Sequence, residues 1–228
     1  MKRAVIIVAG GQGLRMGHEL PKQFIPLHGK PVLMYTLEVF HRWDAAAQLV
    51  LVLPEAHQSY WQMLCRELHC HIPYRLVNGG ETRFHSVQSG LRELPDCDLI
   101  GIHDGVRPLV APEVIEACFQ MAYEKGAVIP VTPCTETIRE KVGEQNRAAD
   151  RSRFHIVQTP QVFYRDWVIE AYQQPYHPRF TDCATVVESL GKSIYLIDGN
   201  IENIKITRPM DLIVAERLIS EKRKAENH

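Results

Sequence analysis

The chain has 228 residues, 45% of them hydrophobic, a length and composition that suit an ordinary soluble globular protein of one or two domains with a substantial core. Twenty-six Lys and Arg stand against 27 Asp and Glu, a formal net charge of -1. No global field therefore draws the protein to nucleic acid or to an anionic membrane, and any anion site has to be built locally.

The first element is the apolar run AVIIVA (4 to 9). It is too short for the core of a secretory signal and runs straight into Gly10 and Gly11, so it reads as a strand. A glycine-rich loop follows, and then PVLMYTLEVFHRW (31 to 43), a helix with proline in its first turn and Leu33, Leu37 and Phe40 on one face. Strand QLVLVL (48 to 53) precedes a second helical stripe of Trp61, Leu64 and Leu68, and YRLV (74 to 77) a third helix over 82 to 94. DLIGIH (98 to 103), a helix over 112 to 125 and AVIPV (127 to 131) continue the alternation, which resumes with SIYLID (193 to 198) and a helix over 208 to 222. Continuous apolar runs fit strands buried on both faces, and alternation with helices predicts an α/β three-layer domain with right-handed crossovers.

The alternation fails in TPCTETIREKVGEQNRAADRSRFHIVQTPQV (132 to 162), with possible strands near 136 to 142 and 154 to 162. Loops this long usually serve something, and the segment reads as a protruding hairpin or arm with dimerisation as its service; a disordered surface loop is the alternative. The six cysteines show no C-x-x-C pair and fit free thiols of a cytoplasmic protein better than a disulfide framework. His69-Cys70-His71 reads as a surface turn in preference to a metal site, because adjacent side chains diverge. No window approaches the roughly twenty apolar residues of a membrane span, and the C-terminal SEKRKAENH reads as a fraying helix end.

The loop in VIIVAGGQGLRMGHELPKQF (5 to 24) carries the chemistry. A glycine-rich turn after a first strand exposes backbone N–H groups to phosphate. Gly11, Gly13 and Gly17 are spaced one residue too long for the dinucleotide fingerprint, and no glycine precedes Lys-Ser or Lys-Thr as a P-loop requires. Pro21 opposes a long helix from Gly13 onward, so a long loop is left to wrap a triphosphate and bring Arg15 and Lys22 to one phosphorus. A turn with two solvated cations is the bland reading. A nicotinamide-dependent dehydrogenase could use Glu55 after the second strand, but its glycines fail.

AGGQGLRM followed by PKQF resembles the signature of the sugar-phosphate nucleotidyltransferases, in particular the cytidylyltransferases of the 2-C-methyl-D-erythritol 4-phosphate type. The resemblance continues in order through NGGETRFHSV (78 to 87), HDGVRP (103 to 108), TETIRE, DRSRF, QTPQ, FTD (180 to 182) and ENIKITRPMDL (202 to 212). It implies a Rossmann-like three-layer sandwich of the nucleotide-diphospho-sugar transferase type with a protruding β-arm, forming one nucleotidyltransferase domain over 1 to 228. It also implies a magnesium-dependent homodimer that joins CTP to a polyol phosphate, without nucleic-acid or membrane partners. A ribitol 5-phosphate cytidylyltransferase shares these loops and stays open as an alternative acceptor choice. A non-catalytic nucleotide-binding protein is a more remote alternative, and one that could have lost Arg15, Lys22, Asp104 or Lys205, all of which are present.

By the same resemblance, Arg15, Lys22 and Lys205 are the catalytic cations. CTP is held by Ala9, Gly10, Gly11, Gly13, Arg15, Lys22, Gly79, Gly80, Glu81, Arg83, Ser86, Asp104 and Gly105. The sugar phosphate is held by Asp104, Arg107, Thr137, Arg151, Thr159, Thr181, Lys205 and Thr207, the arm residues acting across the dimer, with Thr135 a rival for Thr137. Asp104, at a strand end, is the expected magnesium ligand, since a lone carboxylate beside a triphosphate needs an intervening cation; pairing with Arg107 is the alternative. Thr82 also reads as the cap of the helix that follows it. Lys205 between two isoleucines could instead be an outward-facing strand lysine. Three departures stand out: Cys183 where an acidic residue is usual, which puts charge near the substrate pocket in doubt; Gly105 where alanine is common, expected to be harmless; and Met210 for an acidic residue, expected to weaken a helix start slightly.

Overall fold

The computed structural model describes residues 1–10 and 20–226. In chain order the elements are β1 (Arg3–Val8), a 3-10 turn (Lys22–Phe24), β2 (Pro26–Leu27), β3 (Lys30–Pro31), α1 (Val32–Trp43), β4 (Gln48–Leu53), α2 (Glu55–Glu67), β5 (Arg75–Asn78), α3 (Arg83–Arg92), β6 (Leu99–Asp104), α4 (Pro112–Lys125) and β7 (Ala127–Pro133). Then come β8 (Ile138–Val142), β9 (Gln145–Ala149), a 3-10 turn (Arg151–Arg153), β10 (His155–Val157), β11 (Gln161–Tyr164), α5 (Arg165–Ala171), α6 (Cys183–Glu188), β12 (Tyr195–Asp198) and α7 (Pro209–Glu226).

The continuous apolar runs are explained by two cores on opposite faces of one sheet. Along β1, Ala4, Ile6 and Val8 pack on one side with Phe84, Val87 and Leu91 of α3 and with residues of α5 and α6. Val5, Ile7 and Ala9 face the other side, against Leu37 and Phe40 of α1, Trp61 of α2 and Phe119 of α4. A strand covered on both sides needs no polar alternation, and this arrangement makes the three layers. A third cluster seats α7 through Ala215 and Ile219 against Tyr35, Val106 and Ile206.

The sheet runs β10-β7-β11-β6-β1-β4-β5, with β12 also on β7. β5, β4, β1 and β6 are mutually parallel, as expected, but β11 inserts antiparallel between β6 and β7, so the sheet is mixed. Val131 pairs with Val157 of β10 and also with Asp198 of β12, which places those two strands on opposite sides of β7.

The segment 132 to 162 divides in two. Its middle is a hairpin of β8 and β9 turning at Gly143, whose φ of +61° suits glycine. Its end, β10 and β11, is part of the central sheet and not of the projection. Strand β9 lies in QNRAA, which has no apolar pattern because it is exposed. The short helices α5 and α6 were not expected either.

Candidate active site

The parallel strands β1, β4, β5 and β6 deliver their carboxyl ends to one edge, where open α/β sheets bind ligands. Backbone bonds knit the loops there: Ala9 N–H donates to Val52 O at 3.0 Å, Gly79 N–H to Leu53 O at 2.8 Å and Gly105 N–H to Val8 O at 2.8 Å. Between these loops lies a cavity of about 710 Å³. Ala9, Gly10, Lys22, Gly80, Glu81, Arg83, Ser86, Asp104 and Lys205 line it, nine of the expected site residues, joined by Thr82 and by Gln23 and His57, which sequence reasoning passed over.

The 79 to 83 loop is shaped by close approach. A Cβ on Gly80 would sit 2.5 Å from His85 Cβ, so only glycine fits. Ser86 Oγ accepts the Gly80 N–H at 3.1 Å and donates to the Gly80 carbonyl at 3.3 Å, fixing the peptide planes on both sides of Gly80. Thr82 Oγ1 caps α3 by accepting the His85 N–H at 3.3 Å. Glycine at 105, where alanine is common, sits without crowding, whereas a Cβ there would lie 2.8 Å from Ala9 Cβ and 3.1 Å from Leu33 Cδ1, so this chain packs closely around the glycine.

Asp104, at the end of β6, is the electrostatic centre. Its Oδ1 is 3.3 Å from Arg83 Nε, and its Oδ2 is 2.9 Å from Lys205 Nζ and 3.4 Å from Arg107 Nε. Burial would raise this carboxyl, but Arg83, Lys205 and Arg107 together hold it well below the usual carboxylate range. Three cations against one carboxylate leave two positive charges in excess within this cluster. The pair of Asp104 with Arg107, the alternative reading, is present within a larger cluster. Lys205 is not an outward strand lysine: residues 203 to 207 form no strand, Ile206 is buried and its N–H donates to Val106 O at 2.9 Å, and Lys205 turns to Asp104.

Behind the cluster, a buried polar chain sets its shape. Asp104 N–H donates to Thr159 Oγ1 at 3.1 Å, and that hydroxyl is 3.0 Å from His103 Nδ1. His103 Nε2 is 3.0 Å from the Arg107 carbonyl. A carbonyl only accepts, so Nε2 carries the proton, Nδ1 accepts, and Thr159 O–H donates to it. Burial lowers the His103 pKa to about 4, which keeps the ring neutral. Arg107 Nη1 donates to Asn203 O at 2.7 Å, while Asn203 Nδ2 donates to Thr159 O at 2.9 Å. The Thr159 hydroxyl, expected on the sugar phosphate, is therefore committed to holding Asp104.

The departures find physical accounts. Cys183 Sγ accepts from Arg83 Nη1 at 3.0 Å, so an acceptor for Arg83 is kept without a formal charge, and burial pushes the thiol up. Gln161, in the QTPQ motif, accepts the Cys183 and Ala184 N–H groups, each at 3.0 Å, and donates to Asp182 Oδ2 at 2.8 Å, which fixes the start of α6. Met210 does not deprive α7 of its acid, because Asp211 Oδ2 accepts the N–H groups of Thr207 and Arg208 at 2.7 and 2.8 Å. It also takes the Thr207 hydroxyl at 3.0 Å.

Other expected contacts lie elsewhere. Gly79 does not line the cavity, and Thr137, Arg151 and Thr181 are exposed and do not line it either. Arg151 Nη1 donates to Thr135 O at 2.7 Å, beside the hairpin. Gly11, Gly13 and Arg15 lie outside the described residues.

A cavity lined by Gly10 and Gly80 at the carboxyl edge of a mixed α/β sheet, with Lys22, Arg83 and Lys205 in its wall, suits a phosphate-bearing nucleotide, and the chain's relatives are nucleotidyltransferases. The family model for 2-C-methyl-D-erythritol 4-phosphate cytidylyltransferase (IspD) matches residues 3–221, and the chain belongs to that family. A Bacteroides fragilis protein named 2-C-methyl-D-erythritol 4-phosphate cytidylyltransferase is 52% identical over 96% of this chain and 100% of its own. A Porphyromonas gingivalis protein of the same name is 52% identical over 96% and 98%. Among solved structures, the 4-diphosphocytidyl-2C-methyl-D-erythritol synthase of Anaerococcus prevotii superposes with a TM-score of 0.82 at 26% identity, covering 96% of each chain. The Thermus thermophilus cytidylyltransferase does so at 0.77 and 29%, covering 96% of this chain and 100% of that one.

Proposed function

We propose that the protein converts CTP and 2-C-methyl-D-erythritol 4-phosphate to 4-diphosphocytidyl-2-C-methyl-D-erythritol and pyrophosphate, a step toward isoprenoid precursors. The observation that carries this reading is the excess of positive charge around Asp104 beside the Gly80 loop, in a chain half identical to enzymes so named. An acceptor phosphate oxygen attacks the α-phosphorus of CTP, an O–P bond forms, and the bond to the oxygen bridging the α- and β-phosphorus atoms breaks, releasing pyrophosphate. A phosphate monoester is already largely anionic at neutral pH, so the protein supplies no nucleophile and no strong base. Lys205 and Arg107 stabilise charge on the transferred and attacking phosphates, Arg15 and Lys22 act on the triphosphate, and the Gly80–Glu81 backbone meets the cytosine edge.

Magnesium fits this site as a passenger of the triphosphate. Among the described residues no three His, Cys, Asp or Glu side chains converge to hold an ion alone. The two Asp104 oxygens make three contacts, which leaves room for one more, and Glu81 lines the same cavity. Asp104 would hold the ion together with substrate oxygens, where it neutralises phosphoryl charge.

The hairpin of β8 and β9, with Thr137 and Arg151 beside it, reaches a second subunit and completes that subunit's acceptor pocket; the exposed Phe154 and Ile156 supply apolar contact. The protein works as a cytoplasmic homodimer. Sedimentation gives a dimer on this reading, and mixing inactive Lys205→Ala with inactive Arg151→Ala subunits restores part of the activity; a monomer, or no recovery, rejects the shared site. The function itself is tested by pyrophosphate release with CTP and magnesium. A kcat/KM for methylerythritol phosphate far above that for ribitol 5-phosphate is expected, and the reverse order overturns the assignment.

A further inference from the structure

The C-terminus of α2 brings two cysteines together by backbone geometry alone. His69 has φ +51°, and two bonds close the end: Cys70 N–H to Cys65 O at 2.9 Å and His69 N–H to Arg66 O at 3.3 Å. With Leu68 as the last half-helical residue, these are the 6→1 and 5→2 bonds of a Schellman motif. That motif ordinarily carries an apolar contact between its C3 and C″ side chains. Here C3 is Cys65 and C″ is Cys70, so the two side chains that the motif brings face to face are thiols. Tyr74 Oη lies 3.5 Å from Cys65 Sγ and accepts from Trp61 Nε1 at 2.9 Å, which holds the pair in place.

We propose that Cys65 and Cys70 form a reversible dithiol–disulfide site that closes with hydrogen peroxide as oxidant. The other cysteines differ: Cys97, Cys118 and Cys183 are buried, and Cys134 Sγ donates to the Glu136 carbonyl, whereas Cys65 and Cys70 are both half-buried. The facing Cys65 thiol, with a hydrogen bond from the Ile72 backbone, draws the Cys70 thiol down to about 6 despite burial, so Cys70 is the attacking sulfur. Its thiolate attacks one peroxide oxygen; an S–O bond forms, the O–O bond breaks, and hydroxide leaves as water on taking a proton. The Cys65 sulfur then attacks Cys70, the S–S bond forms, and the S–O bond breaks to release a second water. Two thiols lose two protons and two electrons, and one peroxide becomes two waters. The closed form ties the end of α2 covalently to the segment that leads into β5.

Peptide mapping under non-reducing conditions tests this on the whole protein. Trypsin cuts after Arg66, between the two cysteines, so the bond appears as a cross-linked peptide pair that dithiothreitol resolves. The expected first product of mild peroxide treatment is that cross-link, with two hydrogens lost. In Cys65→Ser, Cys70 is expected to stop at a sulfenic acid trapped by dimedone and then to overoxidise. Direct irreversible oxidation of Cys70 in the wild type, or modification of Cys134 ahead of any cross-link, overturns the proposal.

Discussion

His103 is held neutral inside the fold, and its protonation is a measurable load on stability. The ring is fully buried, packs edge-on to Phe40 with centroids 4.7 Å apart, and uses both nitrogens, on Thr159 and on the Arg107 carbonyl. Burial is the dominant cause of its lowered pKa of about 4. An unfolded histidine titrates near 6.5, so the shift is about 2.5 units, or about 3 kcal/mol at 1.36 kcal/mol per unit. Between these values the unfolded chain binds the proton and the folded chain does not. This contribution is therefore complete above about pH 6.5 and is lost as the pH falls toward 4. Urea unfolding at a series of pH values, wild type against His103→Gln, isolates it from the other histidines. The gap between the two should change by about 3 kcal/mol across the window in the direction that hurts the wild type at low pH. Parallel curves would refute the neutral, Nε2-protonated ring and with it the explanation of how the residue 104 to 107 turn is fixed.

Other consequences follow from the same geometry. Gly105→Ala pushes a methyl to 2.8 Å from Ala9 Cβ; overpacking of this kind costs about 1–3 kcal/mol, and the KM for CTP should rise more than that for the acceptor. Asp104→Asn leaves Arg83, Arg107 and Lys205 without their shared anion. Metal-free CTP should then bind at least as tightly by calorimetry, while magnesium-dependent kcat falls by roughly a hundredfold; weaker metal-free binding would contradict the charge count. Thr159→Val removes the acceptor for the Asp104 N–H and should lower kcat by about tenfold, with rescue by Thr159→Ser. An effect confined to the acceptor KM would instead make Thr159 a substrate contact.

Much of the frame was readable because burial on both faces writes a plain signal. β1, β4 and β6 are unbroken apolar runs, and α4 begins with Pro112 and ends before Gly126, whose φ of +89° stops it. Strand β9 could not be read, since an exposed hairpin strand such as QNRAA needs no apolar face. The antiparallel insertion of β11 is a matter of long-range pairing that a local run does not encode. In the site, glycines and cations stood out because close approach and anion binding demand those residue types. The support behind them did not: His103 looked like part of a motif, and Thr159 like a ligand contact, because a buried hydrogen-bond chain joins residues 56 apart in sequence. Cys183 was legible as a departure, but its service as the Arg83 acceptor depends on where α6 begins.

The most direct test of the account is a crystal structure of the protein with CTP and magnesium. The account predicts the cytosine against residues 79 to 83, the triphosphate along residues 9 to 22, and the α-phosphate within reach of Lys205. A nucleotide bound elsewhere, such as the cavity lined by Asp98, Tyr164 and Trp167 at the opposite ends of the strands, would contradict it.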